Sequence, residues 1–358
     1  MKGPSCGQIP RDGAIGMPDT TSQPASPASL LALSQLLTGY WVSQTVYVAA
    51  KLGIADLLAG GARTSAELAS LTGAHAPTLH RLLRALASVG VLADGGEGRF
   101  ALTPVGACLC SGAAGSLRSL AVTLGEEHYR AWGELLHSVR TGQTAFDHAL
   151  GTDFFRYIQE KPACGEIFHA AMAELAALDA PALLAVYDFS GVSRLVDVGG
   201  GYGALLAPIL AAHPAMRGVV FDAPQAVEVA AKRLAAAGLA DRAEAMAGNF
   251  FDSVPGGGDL YILRQIIHDW NDARAKRILT NCRRAMAAHP KLLIFENVVP
   301  AGDAPSFAKL LDLNMLVISG GQERTEEEFR ALLDSGGFRL TRVIPTPSMM
   351  SVLEAVPA

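Results

Sequence analysis

The run LVDVGGGYGA closes a hydrophobic segment with Asp197 and then places Gly199, Gly201 and Gly203 at alternate positions, ahead of a helical stretch from Ala204 to Ala212. Such a turn lets backbone amides approach a ligand beyond the carboxyl end of a strand, where any Cβ would stand in the way. Gly199, Gly201 and Ala204 also satisfy the dinucleotide fingerprint G-x-G-x-x-A, and Asp222 ends the next strand-like run, where an acid can hold a ribose. Two later segments add chemistry. Gly248-Asn249-Phe250-Phe251 follows a strand end and suits an amide hydrogen bond and an aromatic wall for an adenine ring. His268-Asp269-Trp270 follows a further strand and its LRQII continuation, setting a titratable imidazole above the sheet, where it is suited to general-base work near neutrality.

A nicotinamide dinucleotide accounts for Gly199 to Asp222 and leaves the later segments unexplained. The spacing D-x-G-x-G-x-G puts the acid two residues before the first glycine, suited to a methionine ammonium rather than a pyrophosphate. With GNFF and HDW in this order, the residues favour S-adenosylmethionine.

These residues need a sheet to carry them. Beyond Tyr187, short apolar runs alternate with longer helical stretches, the sign of parallel strands with crossover helices. Strands are expected at 194–198, 218–221, 243–247, 260–263 and 292–296, with 338–344 and 350–355 pairing as an antiparallel hairpin at the sheet edge. The fold class is thus a doubly wound, Rossmann-like α/β sheet preceded by a helical domain.

Upstream, apolar residues recur at helical spacing from Leu30 to about Gly60, broken only by Gly39 and Gly53, which reads as two helices. Thr64 with Glu67 three residues on is a capping-box pattern. A helix from Pro77 carries Leu79, Leu82, Leu83, Leu86 and Val89 as one stripe, and Gly95-Gly96 turns the chain between two short strands. Helix, turn, helix and hairpin make a winged helix. A DNA-binding role would need more than His80, Arg81 and Arg84 on that second helix, so a subunit interface is the preferred reading over a regulator. The expected divisions are a disordered tail over 1–29, a winged-helix domain over 30–115, a helical connector over 116–185 and a catalytic domain over 186–358.

The segments GYWVSQTVYVAAKLGIADLL, VDVGGGYG, VVFDAPQAV, GNFFDSVP, DLYILRQIIHDWND, LLIFENVVP and LDLNMLVISGGQERTEEEFRALLDSGGF, in this order, resemble the S-adenosylmethionine-dependent small-molecule O-methyltransferases. That family includes plant caffeate enzymes, animal acetylserotonin methyltransferase and bacterial antibiotic-tailoring enzymes, and the likeness covers nearly the whole chain after the tail. It implies a class I methyltransferase domain behind a winged-helix dimerisation domain, and hence a homodimer. It implies His268 as catalytic base with Glu296 and Glu323 flanking it. Asp197, Gly199 and Gly201 form the cofactor turn, Asp222 the ribose acid, Gly248, Asn249 and Phe250 the adenine side, and Arg264 a basic neighbour. Many members have Asp where Asn249 stands here, which still leaves an oxygen to accept from the adenine amino group. In the general scheme either glutamate can hold the second ring N–H of the histidine.

The connector concentrates aromatics. His128, Trp132, Phe155 and Met172, with Asn314 and Met315 from LDLNMLV, are the candidates to line an apolar acceptor pocket. The acceptor expected is a hydroxyl, phenolic for preference, of a small aromatic or polyketide-like metabolite. The nearest alternative keeps fold and cofactor but decarboxylates or hydroxylates a polyketide.

A net charge of -5 and a pI near 6.0 argue against a nucleic-acid surface, and no window of about 20 uninterrupted apolar residues suggests a membrane span. The five cysteines, Cys6, Cys108, Cys110, Cys164 and Cys282, have neither metal-ligand nor CxxC spacing, so no metal is expected and the thiols read as those of a cytoplasmic protein.

Overall fold

A computed structural model describes residues 26–286 and 290–358; most of the expected tail, with Cys6, lies outside them. The chain divides into a short unit that ends at Trp41 and a large unit, Val42–Ala358.

In the short unit a helix begins at Pro27, capped by the Ser26 side chain, so the last three residues of the expected tail are helical. Gly39 opens the following helix, Gly39–Lys51, instead of breaking one. Gly53, at φ +66°, then allows a third helix, Ile54–Leu58, where two were expected between Leu30 and Gly60.

In the large unit, strands β1 (Arg63–Thr64), β2 (Leu92–Asp94) and β3 (Arg99–Leu102) form a small antiparallel sheet in the order β1-β3-β2. The capping box is present: Thr64 accepts from the Glu67 amide and Glu67 from the Thr64 amide. Helix Ala76–Ser88 buries Leu79, Leu83 and Leu86, while Val89 is its C-cap and is exposed. Its stripe therefore ends one turn earlier than the spacing suggests.

The connector is a set of short helices closed by the 25-residue helix Pro162–Val186. By length and composition that helix could cross a membrane. It also carries Asp179, paired with Arg264, and Glu174, which accepts from the Ser119 and Leu120 amides at the start of another helix. Those are the bonds of a helix packed inside a protein.

The main sheet has seven strands: β4 (Arg194–Val198), β5 (Arg217–Asp222), β6 (Ala243–Ala247), β7 (Leu260–Arg264), β8 (Lys291–Glu296), β9 (Phe338–Pro345) and β10 (Ser351–Pro357). Their order is β6-β5-β4-β7-β8-β10-β9, the first five parallel and the last two forming the antiparallel edge hairpin. Central β7 is buried at every residue, as expected of a strand covered by helices on both faces. One apolar layer gathers Tyr261, Leu263, Ile278, Leu279, Phe329 and Leu333; the other gathers Leu183, Leu206, Ile209, Leu234, Ile262 and Leu293. The connection order reverses at β4, which opens a crevice at the carboxyl ends of β4 and β7. Every chemistry-bearing segment singled out in the catalytic domain ends on that edge except the one carrying Glu323, which reaches it through Gln322 donating to the His268 carbonyl at 2.8 Å.

Candidate active site

The turn after β4 is built on left-handed glycines: Gly199 at φ +74°, Gly201 at +54° and Gly203 at +75°. A Cβ on Gly199 would collide with Ile266, whereas one on Gly201 would meet nothing within 4 Å. The first glycine serves close packing and the second faces open space. The helix beyond begins at Leu206, two residues later than expected, because the turn runs on through Ala204.

Asp197 is almost wholly buried, and its Oδ2 has no hydrogen-bond partner. Burial, reinforced by the nearby Asp222 and opposed by Arg264, raises its pKa to about 7. Asp222 accepts from the Gly201 amide at 2.7 Å and from the Ala223 amide at 2.6 Å, one bond to each oxygen. Gly248, whose amide reaches the Asp222 carbonyl at 2.9 Å, lies so near the Phe221 ring that no side chain would fit.

Asn249 Oδ1 accepts from the Phe251 amide at 2.9 Å, a local turn that uses one of the oxygen's two lone pairs and leaves the other open. Phe250 packs edge-on against Phe251 and Trp270. Arg264 is buried and held by the carboxylate of Asp179, a partner on the connector helix that sequence reasoning did not find.

His268 occupies a 3₁₀ turn, Ile267–Asp269, after β7. Gln265 enters that turn at φ +52°, an unfavourable backbone for a non-glycine residue, fixed in part by its amide bond to the Phe295 carbonyl at 3.1 Å. The two expected glutamates divide the work between them. Glu323 Oε1 lies 2.6 Å from His268 Nδ1, so an ionised Glu323 fixes the tautomer with the proton on Nδ1. Glu296 Oε1 instead accepts from the backbone amides of Ile266 (3.0 Å), Ile267 (2.6 Å) and His268 (3.3 Å). It holds the turn rather than the ring. The remaining ring nitrogen, Nε2, lies 3.8 Å from Asp269 Oδ1.

Burial alone would lower the pKa of His268, but the charges of Glu323, Asp269 and Glu296 outweigh it and raise the value to about 10. Burial raises Glu296, against the opposing charge of His268. Asp269 is pushed up to about 6 by the same desolvation.

Arg324, the neighbour of Glu323, was not anticipated. Its buried guanidinium donates to the carbonyls of Trp270 (2.9 Å) and Ile267 (3.3 Å) and to Asp272 Oδ1 (2.8 Å). Gly321 lies against the His268 carbonyl, where a Cβ would collide. The segment from Gly321 to Arg324 thus clamps the histidine turn from one side. A basic residue beside an acid, in a segment with no helical or strand period, was the available signal.

On the acceptor side, Trp132 Nε1 donates to Asn314 Oδ1 at 2.8 Å, bringing together two candidates 182 residues apart. Phe155 stacks on Trp270 at 4.8 Å, next to the histidine turn. Met315 is buried and Met172 partly so. His128 stands elsewhere: it lines a small cavity with Thr123, Glu127, Phe154, Tyr157 and Phe168, and none of the other five candidates lines it. Burial lowers its pKa to about 4, which keeps the ring neutral.

A family model described as the O-methyltransferase domain matches residues 132–339, and another, the O-methyltransferase dimerisation domain, matches residues 34–112. The chain belongs to the S-adenosylmethionine-dependent O-methyltransferase family. It is 50% identical to a phenazine O-methyltransferase of Lysobacter antibioticus over 93% of this chain and 97% of that protein. It is 35% identical to a phenazine-1-carboxylate N-methyltransferase of Pseudomonas aeruginosa over 91% of this chain and 97% of that one. An O-methyltransferase of neocarzinostatin biosynthesis has been solved in complex with S-adenosylmethionine and 2-hydroxy-5-methyl naphthoic acid. It superimposes with a TM-score of 0.76 at 36% identity, covering 88% of this chain and 96% of its own. The family is one of secondary-metabolite tailoring enzymes, and this O-methyltransferase carries both of its domains.

Proposed function

We propose that the enzyme methylates a hydroxyl, phenolic for preference, of a small aromatic or polyketide-like metabolite, with S-adenosylmethionine as donor and His268 as general base. The observation that supports this is the 2.6 Å pair between Glu323 and His268 Nδ1, which leaves Nε2 outside that pair and available to an acceptor. Nε2 takes the hydroxyl proton as the oxygen attacks, and Glu323 stabilises the imidazolium that results. Glu296 keeps the turn, and so the ring, in register.

The residues fit the cofactor. Asp197 offers a buried carboxylate oxygen with no partner to a cationic ammonium, and Gly201 leaves the space a Cβ would fill. Gly199 shapes the turn and Asp222 offers its remaining lone pairs to a ribose. Gly248, Asn249 and Phe250 flank the adenine, and Arg264 sets the charge beside Asp197. When bound, S-adenosylmethionine supplies a methyl group on a sulfonium centre. Trp132, Asn314, Phe155, Met172 and Met315 position the acceptor ring, while His128 lines a separate small cavity. No metal is required by this chemistry.

The enzyme is proposed to work in the cytoplasm as a homodimer formed through its N-terminal region. In support, Leu30, Leu31, Leu33, Leu36 and Leu37 are each more than half exposed. Its divisions are taken at residues 30, 116 and 186, and neither nucleic acid nor membrane is among its partners.

A second reading keeps fold and cofactor for decarboxylation or hydroxylation of a polyketide. The charge that Glu323, Asp269 and Glu296 hold on His268 favours it, since an imidazolium donates a proton rather than taking one. Incubation with labelled S-adenosylmethionine and panels of phenols, hydroxyphenazines and aryl carboxylic acids separates the readings. Labelled O-methyl ether formed one-to-one with S-adenosylhomocysteine supports the proposal. Label on nitrogen, or loss of carbon dioxide without label, sinks it.

A further inference from the structure

Helix Pro162–Val186 carries a side chain toward the cofactor crevice that no part of the reading above employs. His169 packs its ring 5.5 Å from that of Tyr202, tilted by 37°. Tyr202 follows Gly201, whose amide is bound by Asp222, and its ring lies 4.9 Å from the Arg233 guanidinium. His169 also feels the Asp222 charge directly. Among the described residues, neither of its ring nitrogens has a hydrogen-bond partner.

An ionised carboxylate can only accept hydrogen bonds. In a ribose diol held by Asp222, each hydroxyl spends its proton on the carboxylate and keeps lone pairs that call for a donor. A neutral imidazole carries one N–H and one acceptor nitrogen, so it can supply that bond from the opposite side. Burial lowers the pKa of His169, against the opposing charge of Asp222, and so favours the neutral ring.

We infer that His169 donates a hydrogen bond to a ribose hydroxyl of the bound cofactor, completing with Asp222 a two-sided grip on the diol. The inference rests on the cofactor reading above. It also gives the connector helix a direct stake in cofactor binding, since the same helix carries Asp179, the partner of the Arg264 that lies near Asp197.

The test is calorimetric titration of the full chain with S-adenosylhomocysteine and its 2′-deoxy and 3′-deoxy analogues, for wild type, His169→Ala and His169→Gln. The expectation is a loss of about tenfold in affinity for S-adenosylhomocysteine in His169→Ala, the scale of one hydrogen bond. His169→Gln, which keeps a donor, should recover part of the loss. In His169→Ala, removing one of the two hydroxyls should cost less affinity than it does in wild type, because that hydroxyl then loses only its bond to Asp222. Unchanged affinity in His169→Ala overturns the inference. So does an equal loss for both analogues in variant and wild type, which would leave His169 as packing for Tyr202. If the wild type binds no S-adenosylhomocysteine, the cofactor reading fails first and this inference with it. Thermal melting of each variant separates a lost contact from a lost fold.

Discussion

Replacement of Asp197 by Asn should stabilise the fold in alkaline solution while weakening the cofactor site, and the two effects have one cause. In the folded protein the carboxyl group takes up a proton near pH 7 instead of 3.8. Between those values the folded state binds the proton more tightly than the unfolded chain, so stability falls as pH rises through that window and levels off above it. A gap of about 3, at about 1.4 kcal/mol per pH unit, sets an upper bound of about 4 kcal/mol. Roughly 2–3 kcal/mol of that lies between pH 5 and pH 8. An Asn carries no such slope; its buried amide costs about 1–3 kcal/mol at every pH. Thermal midpoints of wild type and Asp197→Asn, measured from pH 5 to pH 8, should therefore draw apart in favour of the variant by several degrees. The comparison cancels the other titrating groups. In the same proteins, wild-type affinity for S-adenosylmethionine should rise with pH up to about 7, while that of Asp197→Asn stays low and flat. A stability difference that does not change with pH refutes the argument, as does a variant that binds the cofactor like wild type.

Glu323→Gln should lower kcat by about a hundredfold or more, within the range of a general base that loses its orientation, with little change in the Kd for S-adenosylmethionine; an equal loss in both would reject the pairing. Glu296→Gln should instead raise stability above pH 7, where an ionised Glu296 is costly, and still lower kcat by loosening the turn, read from melting and steady-state kinetics together. Because carboxylates hold the proton on His268, log kcat/KM should climb with unit slope from pH 6 toward 9 and bend near 10; a flat profile removes His268 as base. Arg324→Met frees the carbonyls of Ile267 and Trp270, at about 1–3 kcal/mol each, and should lower the melting midpoint by several degrees with a larger loss in kcat than in cofactor affinity.

The parts of this enzyme with a strong local period are legible in its sequence. All seven strands of the main sheet stand within two residues of their expected ends, and central β4 and β7, covered by helices on both faces, read as nearly unbroken apolar runs. The capping box at Thr64 and the helix opened by Glu326 to Glu328 follow from short-range hydrogen bonding that the sequence spells out. Gly39 misleads, because a glycine is as ready to begin a helix as to interrupt one. The pairings that make the site are much less visible. That Glu323 and not Glu296 faces the ring depends on where the loop after Ile318 lies against the turn after β7, a long-range register with no sequence period. The GNFF segment does not announce that the Asn249 oxygen also accepts from the Phe251 amide in a local turn. Asp179 and His169 come from the one long helix whose apolar composition hides its polar work.

That helix matters to the energetics as well. Asp197, Glu296 and Asp269 have all been desolvated far enough to resist ionisation. They sit together on the carboxyl edge of a sheet whose two faces are packed with apolar side chains. Arg264 and Arg324 partly offset the crowd of acids, the first tied to the connector helix through Asp179 and the second to the histidine turn through two carbonyls. The charges left unsatisfied are negative, and the donor proposed to bind there is cationic at two centres. Binding of a cation stabilises the folded protein by drawing such a carboxyl into its ionised, paired form. Cofactor binding and the ionisation of Asp197 thereby become one linked equilibrium, with Arg264 and its partner Asp179 setting the charge beside it.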